Sequence, residues 1–103
     1  MHTGQVLKAV ADETRMNIIK LLLRHNYCVR ALASTLGLTE ATVSGHLKIL
    51  REAGLLVGEK RGYFMHYDVN RSALRELASF FETLSEMERE KCTPENGGYG
   101  SPS

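Results

Sequence analysis

Glu40, Ala41, Ser44, Gly45 and Lys48 fall on one face of a helical stretch, with Thr42 and His46 at its flank. Their chemistry is hydrogen bonding at close range. Glu40 can only accept, the Thr42 and Ser44 hydroxyls both donate and accept, and Lys48 brings a positive charge. Ala41 and Gly45 are small enough for another surface to come near the backbone. A solvated helix face more often carries Lys, Glu and Gln, whereas a face of small and polar residues suits entry into a major groove about 12 Å wide. The second kind of chemistry belongs to Cys28 and Cys92, two thiols that could bind soft ions or be oxidised. No nucleophile–base–orienter set, phosphate-cradling loop or closed metal constellation accompanies them, so an enzyme is not expected.

The elements around these residues follow from pattern. Leu36 to Leu55 reads as one helix ending at Gly37, a short turn, and a second helix entered through Thr39 with Val43, Leu47 and Leu50 as its apolar stripe. That is a helix-turn-helix. Leu55–Lys60 and Tyr63–Val69 read as strands joined by an Arg61-Gly62 turn, the wing of the winged variant. Lys60 and Arg61 at the tip can meet a phosphate, which adds affinity without reading sequence; mere solubilisation of the turn is the alternative.

Upstream, Gln5–Val10 predicts a first helix. Asp12 caps a second helix running to Arg24, apolar on nearly every side through Met16, Ile18, Ile19, Leu21, Leu22 and Leu23 and therefore central. Cys28 opens a third, with Val29, Leu32, Ala33 and Leu36 inward. Ser72 caps a last helix through Lys91, where Leu74, Leu77, Phe81 and Leu84 repeat at helical spacing beside Phe80 and Met87. A helix beyond the wing has little domain left to cover. The stripe of Leu74, Leu77, Phe80, Phe81 and Leu84 is thus expected to pair with a second copy, packed with Val6 and Leu7 of the first helix. Folding back on its own domain is the alternative. The expected organisation is one domain over residues 1–91 and a disordered tail over 92–103, rich in Gly, Ser and Pro.

Composition agrees. A chain of 103 residues is near the low end for a self-sufficient core, a shortage that dimerisation relieves. The net charge of +1 conceals an asymmetry: residues 1–71 carry ten Lys/Arg and six Asp/Glu, while residues 72–103 carry three and six. The basic excess lies on the part assigned to nucleic acid. No apolar run approaches the ~18 residues of a membrane span, and no signal-peptide pattern is evident. Two cysteines without framework spacing suit a reducing cytoplasm, so a cytoplasmic chain without membrane partners is expected.

Val10-Ala11-Asp12-Glu13-Thr14-Arg15-Met16, Cys28-Val29, Val43 to Leu55 and Gly62 to Tyr67, in that order, resemble the ArsR/SmtB repressors over residues 6 to 82. The resemblance implies a mainly α fold with a β-hairpin wing and about five helices, dimerising through the first and last helices. It implies a homodimeric bacterial repressor that leaves its operator on sensing a metal ion, a metalloid or a thiol-reactive signal. Two recognition helices related by a two-fold axis enter major grooves ~34–36 Å apart, so the operator is expected to be an inverted repeat in double-stranded DNA. The DNA-contacting set is then Thr39, Glu40, Ala41, Thr42, Ser44, Gly45, His46, Lys48, Lys60 and Arg61. Family members often carry Gln at the position of Glu40; the carboxylate either shifts base preference towards cytosine N4 or favours the helix N-terminus through its dipole. His46 either reaches phosphate or packs as a polar residue.

The signal is harder to read. Arsenic-responsive members often carry Cys-Val-Cys where this chain has Cys28-Val29-Arg30. Trivalent arsenic favours three thiolates, and only Cys28 and Cys92 are on offer. Zinc-responsive relatives place Asp and His ligands on the last helix, but residues 71–91 contain no His, so that site is not expected. A helix N-terminus beside His25 and Arg30 favours thiol chemistry at Cys28, with Cys92 as the resolving thiol. In members that switch through a disulfide the second cysteine lies nearer the wing. Packing of Cys28 and an incidental surface role for Cys92 are the alternatives. The expectation is therefore a repressor needing no cofactor and relieved at Cys28 by arsenite, another thiophilic ion or an oxidant. Two other readings stay open: the same repressor with a non-thiol inducer, and a winged-helix protein-interaction module that binds no DNA.

Overall fold

Every helix but the first begins where a side chain takes up an otherwise unpaired backbone N–H. In the computed structural model, which describes residues 2–92, the order is α1 Thr3–Val10, α2 Glu13–Arg24, α3 Val29–Leu36, α4 Glu40–Glu52, β1 Leu56–Arg61, β2 Phe64–Val69 and α5 Arg71–Ser85. Asp12 Oδ1 accepts from the Arg15 N–H at 2.9 Å, Thr39 Oγ1 from Thr42 at 3.1 Å and Cys28 Sγ from Ala31 at 3.4 Å. Gly37, at φ +68°, ends α3 in the left-handed region, where the missing Cβ removes the penalty. The Leu38 N–H then turns back to the Ala33 carbonyl at 2.9 Å. These two local devices set the angle between α3 and α4.

The core gathers one face from every element. Val6 and Ala9 of α1, Ile18, Ile19 and Leu22 of α2, Leu32 and Ala33 of α3, and Val43, Leu47 and Leu50 of α4 are buried together with Leu55, Leu56, Tyr67 and Ala73. The expected stripe on α4 is the buried one. In α2 the burial is narrower than expected: Leu21 and Leu23 are only half-covered, so one face of the helix remains at the surface.

Three boundaries differ from expectation. First, α1 starts at Thr3 rather than Gln5. Second, Arg61 is the last residue of β1, opposite Phe64, and the turn is Gly62-Tyr63. Both favoured two-residue hairpin turns need positive φ at the first central residue; Gly62 supplies it at +62° without strain, and an arginine there would not. Third, α5 is capped by Asn70 rather than Ser72 and ends at Ser85 rather than Lys91. From Glu86 to Lys91 only Met87 is apolar, so little offsets the cost of ordering further turns. Glu86, Glu88 and Glu90 would also meet the negative end of the helix dipole. Ser85 Oγ meanwhile donates to the Glu82 carbonyl at 2.6 Å. Of the expected tail, residues 93–103 lie outside the described residues.

Asn70 joins three segments. Its Oδ1 accepts from the Ala73 N–H at 3.3 Å, its Nδ2 donates to the Gly54 carbonyl at 3.0 Å, and its backbone N–H donates to Leu55 at 2.8 Å. Asn70→Ala therefore loses both a cap and a tether between α5 and the turn after α4. We expect a cost of about 1–2 kcal/mol, read as a lower Tm in thermal denaturation. Ser72→Ala, in the same experiment, stays within about 0.5 kcal/mol of the parent; equal losses from the two would deny Asn70 the capping role.

Candidate nucleic-acid interface

The face opposite the α4 stripe is open. Glu40, Ala41, Thr42, Ser44, Gly45 and Lys48 are all exposed, on a helix whose inner side is locked by Val43, Leu47 and Leu50. Thr39 organises its first turn twice over, since its hydroxyl accepts from the Thr42 N–H and donates to Thr42 Oγ1 at 2.9 Å. The Thr42 hydroxyl proton is left to point outward. At Gly45 a Cβ would meet nothing within 4 Å, so no internal packing demands glycine there. Lys48 lies 3.9 Å from Glu52, an exposed pair one helical turn apart that contributes at most a few tenths of a kcal/mol. Its charge can turn to another partner at little cost.

His46 is half-buried and faces inward. Its Nδ1 lies 3.4 Å from Arg15 Nη1, a contact made within the domain. Arg15 also lies 3.9 Å from Asp12 Oδ2. The Asp12 carboxyl is held below its ordinary value, first by the Arg15 backbone N–H and then by the Arg15 charge.

The wing carries both charge and aromatic surface. Arg61 sits 3.3 Å from Glu59 Oε2 on the outer face shared with Phe64, while Lys60, opposite Met65, projects to the other face. Tyr63 is 100% and Phe64 70% exposed. The sequence pattern predicts Lys60 and Arg61 at the tip, with Tyr63 and Phe64 inside a strand. The true tip is Gly62-Tyr63, and the register Arg61↔Phe64 is the signal that exposes them. His66, inside β2, lies 3.6 Å from Asp68.

The other expected sites are distributed as follows. Cys28 and Cys92 are exposed and form no disulfide. Among the described residues no group of three or more His, Cys, Asp or Glu is arranged to hold a metal ion. Nor, among them, is any helix long and apolar enough to cross a membrane. Val6, expected on a dimer surface, is fully buried in its own core, because α1 turns that side towards the rest of the domain. Leu7 is half-buried. Leu74 and Leu77 pack against the core, and Phe80 is half-buried, whereas Phe81 and Leu84 are 50% and 43% exposed.

Among the described residues, five helices, a two-stranded antiparallel hairpin after the fourth, and an open face on that fourth helix define a winged helix-turn-helix protein, a class of DNA-binding regulators rather than enzymes. Residues 12–57 match the model of the arsR family of bacterial regulatory proteins. The chain is 35% identical over 88 residues to the arsenical resistance operon repressor of Escherichia coli, covering 84% of this chain and 75% of that one. Its fold resembles an ArsR-like transcriptional regulator from a Rhodococcus species with a TM-score of 0.74, at 28% identity over 81% of this chain and 78% of the other. It also resembles the homodimeric winged helix-turn-helix DNA-binding domain of a possible ArsR-family regulator from Mycobacterium bovis, with a TM-score of 0.66 and 25% identity over 87% and 85% of the two chains. The chain belongs to the arsR family, and it is a transcriptional regulator.

Proposed function

We propose that the protein is a homodimeric repressor that binds an inverted-repeat operator through α4 and the wing and is released by a thiol-directed signal at Cys28. The observation that carries the DNA-binding part is the outward face of α4, where Glu40, Thr42 and Ser44 offer hydrogen-bonding groups beside the small Ala41 and Gly45. Thr39 orders the first turn, and Lys48, Lys60 and Arg61 supply phosphate contacts. The relative in Escherichia coli, named as an arsenical resistance operon repressor, supports a soft metalloid as the signal. So does the exposed Cys28 sulfur at the start of α3, where it accepts from the Ala31 N–H. Arg30, standing where arsenic-responsive members carry a second cysteine, favours a second reading in which the inducer uses no thiol.

Fluorescence anisotropy of the reduced protein on duplex DNA from upstream of its own gene tests both parts. Binding is expected to weaken steeply with salt, because each neutralised phosphate releases about one counterion. Arsenite, cadmium or peroxide should release the wild type and leave Cys28→Ser bound. Release of Cys28→Ser equal to that of wild type would favour the non-thiol inducer. Failure to select any duplex from a randomised pool would overturn the repressor and leave a protein-interaction module.

A further inference from the structure

Arg15 is only 15% exposed through its side chain, yet it belongs to neither the core nor the outward face of α4. Its Nε donates to the Ala9 carbonyl at 2.7 Å and its Nη2 to the Lys8 carbonyl at 3.1 Å. Both carbonyls lie in the last turn of α1, where no further helical N–H reaches them. A guanidinium presents its donors in a rigid plane, so two bonds to one helix end fix the direction of the third. That third group, Nη1, meets His46 Nδ1 at 3.4 Å on the flank of α4. A guanidinium can only donate, so His46 takes part in this contact as an acceptor, through the tautomer that leaves the lone pair on Nδ1.

A second tether lies further along α4. Gln5 Nε2 on α1 donates to the Glu52 carbonyl at 3.2 Å, at the end of α4 where carbonyls again lack helical partners. Residues 46 and 52 are six apart, about 9 Å along a helix axis. The start of α1 thus meets the end of α4, and the end of α1 meets its middle through Arg15. One tether would fix position alone; two separated along the axis also resist rotation and tilt.

We propose that Arg15 is a positioning residue for DNA recognition, joining the carbonyl end of α1 to His46 so that the outward face of α4 keeps a fixed orientation relative to α1. His46 acts as the acceptor of that clamp, not as a DNA contact. In the proposed homodimer the half-buried Leu7 leaves α1 a surface for the second copy, and the clamp would carry the geometry of the dimer to the recognition helix. The inference rests on the proposed DNA binding.

The test uses duplexes selected by wild-type protein from a randomised pool, with the two half-sites also moved one base pair closer or further apart. Arg15→Met and His46→Ala are each expected to lose about tenfold in affinity for the selected duplex, and the double variant to lose no more than either alone. His46→Gln, whose Oε1 can accept from Arg15, should stay within about threefold of wild type. Both weakened variants should also lose much of the wild type's discrimination against altered spacing, whereas Lys60→Ala should weaken all spacings alike. Thermal denaturation of each variant separates instability from misorientation. Additive losses from Arg15→Met and His46→Ala, or unchanged spacing discrimination in both, would overturn the clamp. Should Arg15→Met fail to fold, His46→Ala against His46→Gln still decides through spacing discrimination and rescue. A wild type that selects no duplex would instead refute the DNA-binding reading.

Discussion

Phe81→Asp combined with Leu84→Asp is expected to give a folded chain that sediments as a monomer and binds operator about a thousandfold more weakly, the loss that follows when two linked half-site contacts become independent. The expectation follows from how α5 divides. Its first half belongs to the domain: Ala73 is buried, and Leu74 and Leu77 pack against the core. Its second half projects Phe81 and Leu84, together with the exposed Met87, away from that core. Burying a phenylalanine or leucine side chain contributes about 1.5–3 kcal/mol, and in a two-fold interface every such contact occurs twice. The same symmetry brings four new carboxylates together in the variant dimer, where desolvation without partners is strongly unfavourable. Little of this touches the fold of one chain, so circular dichroism and Tm should change slightly. Sedimentation and anisotropy then report the interface. A variant that remains dimeric, with operator affinity within about threefold of wild type, would move the dimer surface elsewhere.

Much of the candidate site was legible because its determinants are local. Thr39 as cap, Gly37 as stop and the spacing of Val43, Leu47 and Leu50 lie within fourteen residues and specify α4, its entry and its buried side. Cys28 reads as the start of α3 for the same reason. What escaped was decided across distance. Asn70 and Ser72 are both capping residues, and a bond from Asn70 to the Gly54 carbonyl, sixteen residues back, chooses between them. The wing turn lay one residue further on, which moves each cross-strand pair by two and carries Tyr63 to the tip. The φ requirement of the turn could have found it, since only Gly62 of the residues involved takes positive φ freely. Arg15 reads in sequence as an ordinary charge early in α2; its partners are two carbonyls of α1 and a ring on α4, none of which local pattern predicts.

Gly45→Leu is expected to raise the Tm and, in the same protein, to lower operator affinity at least a hundredfold, or about 3 kcal/mol. Glycine within a helix costs about 1 kcal/mol relative to a good helix former, because its unfolded backbone is freer. A residue that costs stability needs a reason to be there. Internal crowding is not the reason, since a Cβ at this position has open space for 4 Å. Positive φ is not the reason either, because the left-handed glycines are Gly37, Gly54 and Gly62. What remains is the outside: Gly45 stands between Ser44 and His46 on the exposed side of α4, one turn after Ala41. In a groove about 12 Å wide a helix nearly fills the space, and in the proposed complex a leucine there would hold the neighbouring hydroxyls off the base edges. Gly45→Ala should show the same opposition more gently, gaining stability and losing affinity by a smaller factor. Thermal denaturation and anisotropy on one preparation measure both quantities. Opposite signs would identify glycine as a requirement of binding alone, whereas a stabilised variant with full operator affinity would turn this face of α4 away from the DNA.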